Sequence, residues 1–190
     1  MMTIRFFLLT LLCSVSFSAG AQVPVLSMEQ AAARVVDGGF VLMMRHSTTV
    51  PGFGDPPQFT IGQCETQRNL SDAGRSQAQA IGKRLRDAGI HIAQVRNSQW
   101  CRCRETAELA FGKTTDWPAL NSFFADRSTE PAQTSRLQAA ARSLPAKDNV
   151  MWVTHQVNIS AALGTFAGQG EIVAAQVRDG SLQPVFRIAP

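Results

Sequence analysis

Two of the three histidines in this chain stand beside features that suit phosphoryl transfer. His46 directly follows Arg45 at the end of one apolar run, and His155 follows a second such run. Imidazole is a nucleophile at neutral pH because its ordinary pKa is about 6.5. Arginine binds phosphate oxygens through paired N–H groups and keeps its charge. These residues predict transfer of a phosphoryl group through a phosphohistidine, with Arg45 and Arg102 neutralising the phosphate.

The position of each histidine at the end of an apolar run places both at one edge of a sheet. The runs at residues 40–44 and 149–154 are short and continuous, which is typical of strands buried on both faces. In open α/β sheets, ligands bind outside the carboxyl ends of the strands. His46 and His155 are therefore expected at that edge, whereas His91 lies at a helix-to-strand junction.

The rest of the sequence alternates helices with strands. A capping box at 27–30 opens a helix that ends near Gly38, and Ser71 caps a second helix that ends at Gly89. Further helices are predicted over 101–111, over 132–144 and after His155, with further strands at 90–96, 171–177 and 183–188. We predict an α/β fold, a three-layer sandwich in which a mostly parallel central sheet is flanked by helices.

Length and composition limit the class of protein. The chain of 190 residues suits one domain, placed at 22–190, and a charged fraction of 17% is too low for a disordered polyelectrolyte. The formal net charge is +4, and the basic residues are scattered singly, so no nucleic-acid partner is expected.

Residues 1–21 have the order of a secretory signal peptide. Arg5 precedes an apolar stretch that runs from Phe6 to Cys13, and Ala19-Gly20-Ala21 forms a small-residue cleavage site. The apolar stretch is much shorter than the roughly 20 residues that span a bilayer. We therefore predict cleavage before Gln22, no membrane anchor after cleavage, and a periplasmic or secreted protein.

Three cysteines remain after residue 21, and in an oxidising compartment they allow one disulfide and one free thiol. Cys101 and Cys103 are poor partners for each other if both lie on one helix. Cys64 is therefore expected to pair with one of them and to join the long loop at 47–69 to the helix that carries Arg102. Cys-x-Cys spacing and three histidines do not suit a zinc site.

Four short motifs follow one another between residues 40 and 165. They are Met44-Arg45-His46-Ser47, the helix start Leu70-Ser71-Asp72-Ala73-Gly74-Arg75-Ser76-Gln77-Ala78, the segment Ser98-Gln99-Trp100-Cys101-Arg102-Cys103-Arg104-Glu105-Thr106-Ala107, and Val153-Thr154-His155. In this order they resemble the histidine phosphatase (phosphoglycerate mutase-like) superfamily. The signal peptide and the short chain are similar to the small exported members.

The resemblance implies a role for each matching residue. His46 would be the nucleophile that carries the phosphoryl group, and Arg45 and Arg102 would bind the phosphate. His155 would donate to a non-bridging oxygen in the transition state. The superfamily needs no metal and no cofactor, and we expect none here.

The sequence departs from the family pattern at two positions. Ser47 stands where the family has glycine, and its hydroxyl is a candidate phosphate donor. Gln156 stands where related acid phosphatases have the aspartate that donates a proton, so another acid is needed. The irregular segment at 112–131 offers three carboxyl groups, and we favour Asp126 over Glu130, with Asp116 as a further candidate.

Two points stay open from the sequence. Arg68 is either a third phosphate contact or a loop anchor. Without an acid, only substrates with good leaving groups would turn over well.

Three classes of function fit these residues. An exported phosphatase that hydrolyses phosphate monoesters or anhydrides through His46 is the first. The alternatives are a non-catalytic module that binds a phosphate ligand, and a phosphotransferase or mutase of the same fold. The substrate is expected to be a phosphorylated small molecule or a surface glycan, the latter from the compartment and not from the residues.

Overall fold

A computed structural model describes residues 22–190, so the predicted signal peptide lies outside the described residues. Its central sheet has seven strands: β1 (Val25–Leu26), β2 (Val41–Arg45), β3 (Gln94–Asn97), β4 (Thr115–Asp116), β5 (Val150–Thr154), β6 (Ile172–Arg178) and β7 (Ser181–Ile188). Their order across the sheet is β1-β7-β6-β2-β5-β3-β4. Every strand except β6 runs in the same direction, which confirms the predicted mostly parallel sheet.

Five helices cover the two faces of this sheet: α1 (Met28–Val35), α2 (Asp72–Asp87), α3 (Cys101–Phe111), α4 (Glu130–Arg142) and α5 (Gln156–Leu163). Strand β2 shows how the layers form. Leu42 and Met44 pack with α1, α2 and α3, whereas Val41 and Met43 pack with α4 and α5. Successive side chains of a strand point to opposite faces, so a strand that is apolar throughout is buried from both sides.

Helices α2 and α3 approach each other closely because of one glycine. A Cβ atom at Gly82 would lie 2.0 Å from the carbonyl oxygen of Ala110, well inside van der Waals contact. The Arg86 guanidinium donates to the same carbonyl at 2.7 Å. The close approach fixes α3, which carries Arg102, against α2.

The main departures from the predicted elements lie at element ends. The strand expected at 90–96 is β3, at Gln94–Asn97, because the preceding residues complete the end of α2, where the Ile90 amide donates to the Leu85 carbonyl. The short strands β1 and β4 were not predicted, since two residues show no periodicity. No helix within residues 22–190 is both long enough and apolar enough to cross a bilayer.

Candidate active site

Strands β2 and β5 are neighbours, and their carboxyl ends bring two imidazoles together. Arg45 is paired with Thr154 in the parallel register, and the next residue of each strand is a histidine. The His46 amide donates to the Thr154 carbonyl at 3.0 Å, and the ring centres of His46 and His155 lie 5.6 Å apart. Both histidines therefore lie at one edge of the sheet, as their strand-end positions predict.

The His46 imidazole is held with one nitrogen free. Its Nδ1 lies 2.9 Å from the Ser47 carbonyl oxygen. Because a carbonyl only accepts, Nδ1 carries the proton and Nε2 carries the lone pair. Burial, and then the nearby charge of Arg102, lowers the pKa of His46 to about 3. The ring is therefore neutral at ordinary pH, with Nε2 available as a nucleophile.

His155 lies between a hydroxyl group and an arginine. Its Nε2 is 2.8 Å from the Ser98 hydroxyl, and its Nδ1 is 3.5 Å from Nη2 of Arg102. A guanidinium only donates, so Nδ1 accepts here and Nε2 donates to Ser98. The Ser98 hydroxyl can also donate, which allows the opposite tautomer to offer its Nδ1 proton to a phosphoryl oxygen. Burial, followed by the charge of Arg102, lowers the pKa of His155 and keeps it neutral.

Arg45 and Arg68 bring two positive charges to the same place. Arg45 donates to the Ala167 carbonyl through Nη1 at 3.0 Å, while its buried Nε has no hydrogen-bond partner. Arg68 donates to the Gly54 carbonyl at 2.8 Å and to the Thr49 hydroxyl. Burial lowers the pKa of both guanidinium groups, and the neighbouring arginines lower it further. An arginine stays charged through such shifts.

Arg102 is paired with a carboxylate that the sequence analysis did not single out. Its Nη1 and Nη2 donate to the two oxygens of Asp55 at 2.6 and 3.0 Å. Trp100 Nε1 and the Arg68 amide also donate to this carboxylate, both at 3.0 Å. Asp55 therefore accepts from four N–H donors. Burial acts to raise the pKa of Asp55, but the hydrogen bonds and the charge of Arg102 outweigh burial and lower it. Asp55 is therefore held as an anion.

These side chains line one pocket of about 370 Å³. Its lining includes the histidine pair and three arginines: Arg45, His46, Arg68, Arg102 and His155. Three guanidinium groups and the Asp55 carboxylate leave a net charge of +2 at neutral pH, since both histidines are neutral. A phosphate monoester carries about −1.5 to −2 at that pH, so the charges match.

Motif residues outside the pocket hold the backbone that follows His46 through hydrogen bonds and close packing. The Ser47 amide donates to the Thr106 hydroxyl, and the Thr48 amide donates to Oε1 of Gln77, both at 3.0 Å. Gly74 lies against the same loop, where a Cβ atom would be 1.8 Å from the Thr48 carbonyl oxygen. The side chain of Ser47 is buried and does not line the pocket.

The candidate proton donors lie outside the pocket. Asp126 is exposed and accepts from the Ser128 amide at the start of a short 3-10 turn. Glu130 pairs with Arg127 on the same segment, and Asp116 pairs with Arg104 of α3. None of the three lines the pocket, whereas Asp55 does.

Cys64 forms a disulfide with Cys101, which confirms the prediction that it pairs with Cys101 or Cys103. This disulfide joins the long loop to the first residue of α3, next to Arg102. Cys103 is free and buried, and its sulfur lies 3.4 Å from Nε2 of His155. Burial raises the pKa of Cys103 to about 12, so it is a neutral thiol.

Loss of the disulfide is expected to lower the stability of the protein. The bond closes a loop with a sequence separation of 37, and loop entropy assigns such a crosslink about 3–4 kcal/mol. The double variant Cys64→Ser with Cys101→Ser should therefore unfold at a lower urea concentration than the oxidised wild type. Adding a reductant should lower the unfolding midpoint of the wild type and leave that of the variant unchanged. A wild-type midpoint that is the same before and after reduction would count against a stabilising crosslink.

Comparison with known proteins identifies one similar family. Residues 41–123 match the family model of the histidine phosphatase superfamily (branch 1). No curated protein matches the chain.

Three of the similar solved structures have low sequence identity but are matched over 94–97% of their own length. The product of open reading frame Rv3214 from Mycobacterium tuberculosis is 19% identical, with 76% of this chain and 94% of that chain covered and a TM-score of 0.56. The protein histidine phosphatase SixA, complexed with tungstate, is 14% identical, with coverages of 80% and 97% and a TM-score of 0.55. The alpha-ribazole phosphatase from Shigella flexneri is 15% identical, with coverages of 77% and 95% and a TM-score of 0.53. At these identities the likeness shows a shared fold.

Proposed function

We propose that the chain is a metal-independent phosphatase of the histidine phosphatase superfamily (branch 1), whose family model matches residues 41–123, and that it acts through a phosphohistidine on His46. Its substrates are phosphate monoesters or anhydrides. The observation that carries the proposal is the hydrogen bond from Nδ1 of His46 to the Ser47 carbonyl. This bond leaves a neutral nucleophilic nitrogen in a pocket whose arginines suit a phosphate dianion.

The reaction has two steps. The Nε2 lone pair of His46 attacks phosphorus, and the bond from phosphorus to the ester oxygen breaks as the leaving group departs. Arg45, Arg68 and Arg102 neutralise charge on the non-bridging oxygens. His155 donates a hydrogen bond to one of these oxygens. Water then attacks phosphorus, the phosphorus–nitrogen bond breaks, and inorganic phosphate leaves with His46 restored.

An exported location is part of the proposal. The segment 1–21 has the order of a signal peptide, and the Cys64–Cys101 disulfide suits an oxidising compartment. In that compartment the substrate would be a phosphorylated small molecule or a phosphate group on a surface glycan.

The direct test is hydrolysis of phenyl phosphate by the mature protein with a metal chelator present. We expect turnover that the chelator does not affect, and a labelled phosphoenzyme that is stable in alkali and labile in acid, as a phosphorus–nitrogen bond requires. The label should disappear when substrate is removed, because water completes the second step.

Other outcomes point to the alternative functions. A phosphoenzyme that persists in water and passes its phosphate to an added alcohol indicates a phosphotransferase. Binding of inorganic phosphate with neither turnover nor label indicates a binding module. Activity that disappears with the chelator contradicts metal-independent catalysis.

A further inference from the structure

We infer that the substrates of this pocket are phosphate monoesters of aromatic alcohols, with a planar aromatic leaving group. The inference rests on the proposed function, because it concerns the group that departs when His46 takes the phosphoryl group. Two independent observations support it. One is a set of exposed aromatic side chains at the pocket, and the other is the state of the carboxyl group that lines it.

The exposed phenylalanines are all gathered at the active site. Within residues 22–190 three phenylalanines are exposed: Phe53 at 88%, Phe124 at 51% and Phe166 at 61%. All three line the pocket. Single exposed apolar residues are common on protein surfaces, but a cluster bordering a polar pocket is typical of a binding surface. These rings come from three separate loops, so chain proximity does not explain their meeting.

The rings border the phosphate-binding groups. Phe53 and Phe124 contact each other edge to face, with centroids 5.2 Å apart. Phe53 is two residues from Asp55, which holds Arg102. Phe166 lies beside the Arg45 guanidinium, 5.8 Å from ring centre to Cζ. A substrate whose phosphate is bound by the arginines would therefore place its ester group among the three rings, where an aromatic group packs well.

The backbone around Phe53 presents this ring outward. Gly52 and Gly54 have φ angles of 140° and 69°, in the region that only glycine adopts readily. A Cβ atom at Gly54 would lie 3.7 Å from Cε1 of Phe124. The turn therefore keeps a large apolar side chain in solvent at the mouth of the pocket, where burial against a ligand would be favourable.

The carboxyl group in the pocket is not suited to donate a proton. Among the described residues that line it, Asp55 is the only acidic one, and four N–H donors hold it as a carboxylate. An aliphatic alkoxide is strongly basic and needs a proton as it leaves. A phenol has a pKa of about 10, as in tyrosine, so its anion can leave without a proton donor.

The first step then balances without an acid. The Nε2–phosphorus bond forms, the phosphorus–oxygen bond to the ring breaks, and the electron pair stays on the aryl oxide, which takes its proton from water. The aromatic rings and the missing proton donor therefore select the same class of substrate.

The test compares benzylphosphonate with methylphosphonate, two ligands that cannot be hydrolysed. Titration calorimetry with the mature protein should show benzylphosphonate binding about tenfold more tightly, the size expected of aromatic contacts. Phe53→Ala and Phe124→Ala should each lower this benzyl-to-methyl affinity ratio by about threefold or more. Val36→Ala removes a side chain that is 76% exposed and does not line the pocket, and should leave the ratio unchanged.

The ratio also separates this inference from the proposed function. A wild-type ratio near one, or a ratio that both phenylalanine variants leave in place, overturns the inference even if phenyl phosphate is hydrolysed. The expected ratio without any hydrolysis of phenyl phosphate upholds the aromatic site and contradicts the phosphatase instead.

Discussion

Replacing His46 with alanine is expected to lower kcat for phenyl phosphate by about a thousandfold or more. The variant keeps Arg45, Arg68 and Arg102, so it should still bind inorganic phosphate. What it loses is the nitrogen whose lone pair the Ser47 carbonyl leaves free. Without that atom no phosphoenzyme forms, and the remaining rate comes from charge stabilisation alone. Steady-state kinetics and labelling with radioactive phosphate measure both effects.

The chain offers a matched control in its third histidine. His91 is exposed and does not line the pocket, so His91→Ala should retain the wild-type kcat and the phosphoenzyme. A His46→Ala protein that keeps more than a tenth of the wild-type kcat would exclude His46 as the nucleophile. A loss of phosphate binding along with turnover would instead indicate that the substitution disrupts the pocket.

The location of the two histidines could be predicted because it depends on local pattern. The apolar runs before His46 and His155 are long enough to specify buried strands, and parallel strands end at one edge. The same runs fix which residue is last in each strand. Periodicity along the chain therefore determined the part of the site that regular structure carries.

The loop residues of the site could not be predicted in this way. Asp55 lies in a segment rich in glycine and proline, where no periodicity relates a side chain to a face. Its meeting with Arg102 depends on the path of the loop across 47 residues of sequence separation. The predicted donor Asp126 shows the same difficulty, since its segment turns outward and its carboxylate accepts from the Ser128 amide. Such paths are set by tertiary contacts, among them the Cys64–Cys101 disulfide.

Asp55→Ala is expected to destabilise the protein by about 3–5 kcal/mol, the cost of breaking a buried ion pair from one side. The side chains of Arg102 and Asp55 are only 4% and 8% exposed. Removing the carboxylate leaves the Arg102 charge, the Trp100 indole N–H and the Arg68 amide without their acceptor. It also leaves the neighbouring charges of Arg45 and Arg68 without a carboxylate in the pocket. Urea unfolding at pH 7 measures the loss as a lower midpoint at unchanged slope.

A second ion pair on the same helix supplies the control. Arg104 also donates two hydrogen bonds to one carboxylate, that of Asp116, but these side chains are 34% and 36% exposed. Water screens an exposed pair, so Arg104→Ala, which leaves Asp116 its hydrogen bond from the buried Asn97, should cost no more than about 1 kcal/mol. Equal losses of unfolding free energy in the two variants would show that burial of the Asp55 pair adds nothing to its contribution to stability.

The pH dependence of the stability lost in Asp55→Ala follows from the lowered pKa of Asp55. A carboxylate whose pKa is lower in the folded than in the unfolded protein stabilises the fold above its ordinary pKa of about 3.9. That contribution disappears as the pH falls through the folded pKa. The stability difference between wild type and Asp55→Ala should therefore be full at pH 7 and shrink toward pH 2. A difference that grows in acid would mean that Asp55 is protonated in the folded protein, and it would then be the proton donor that the pocket otherwise lacks.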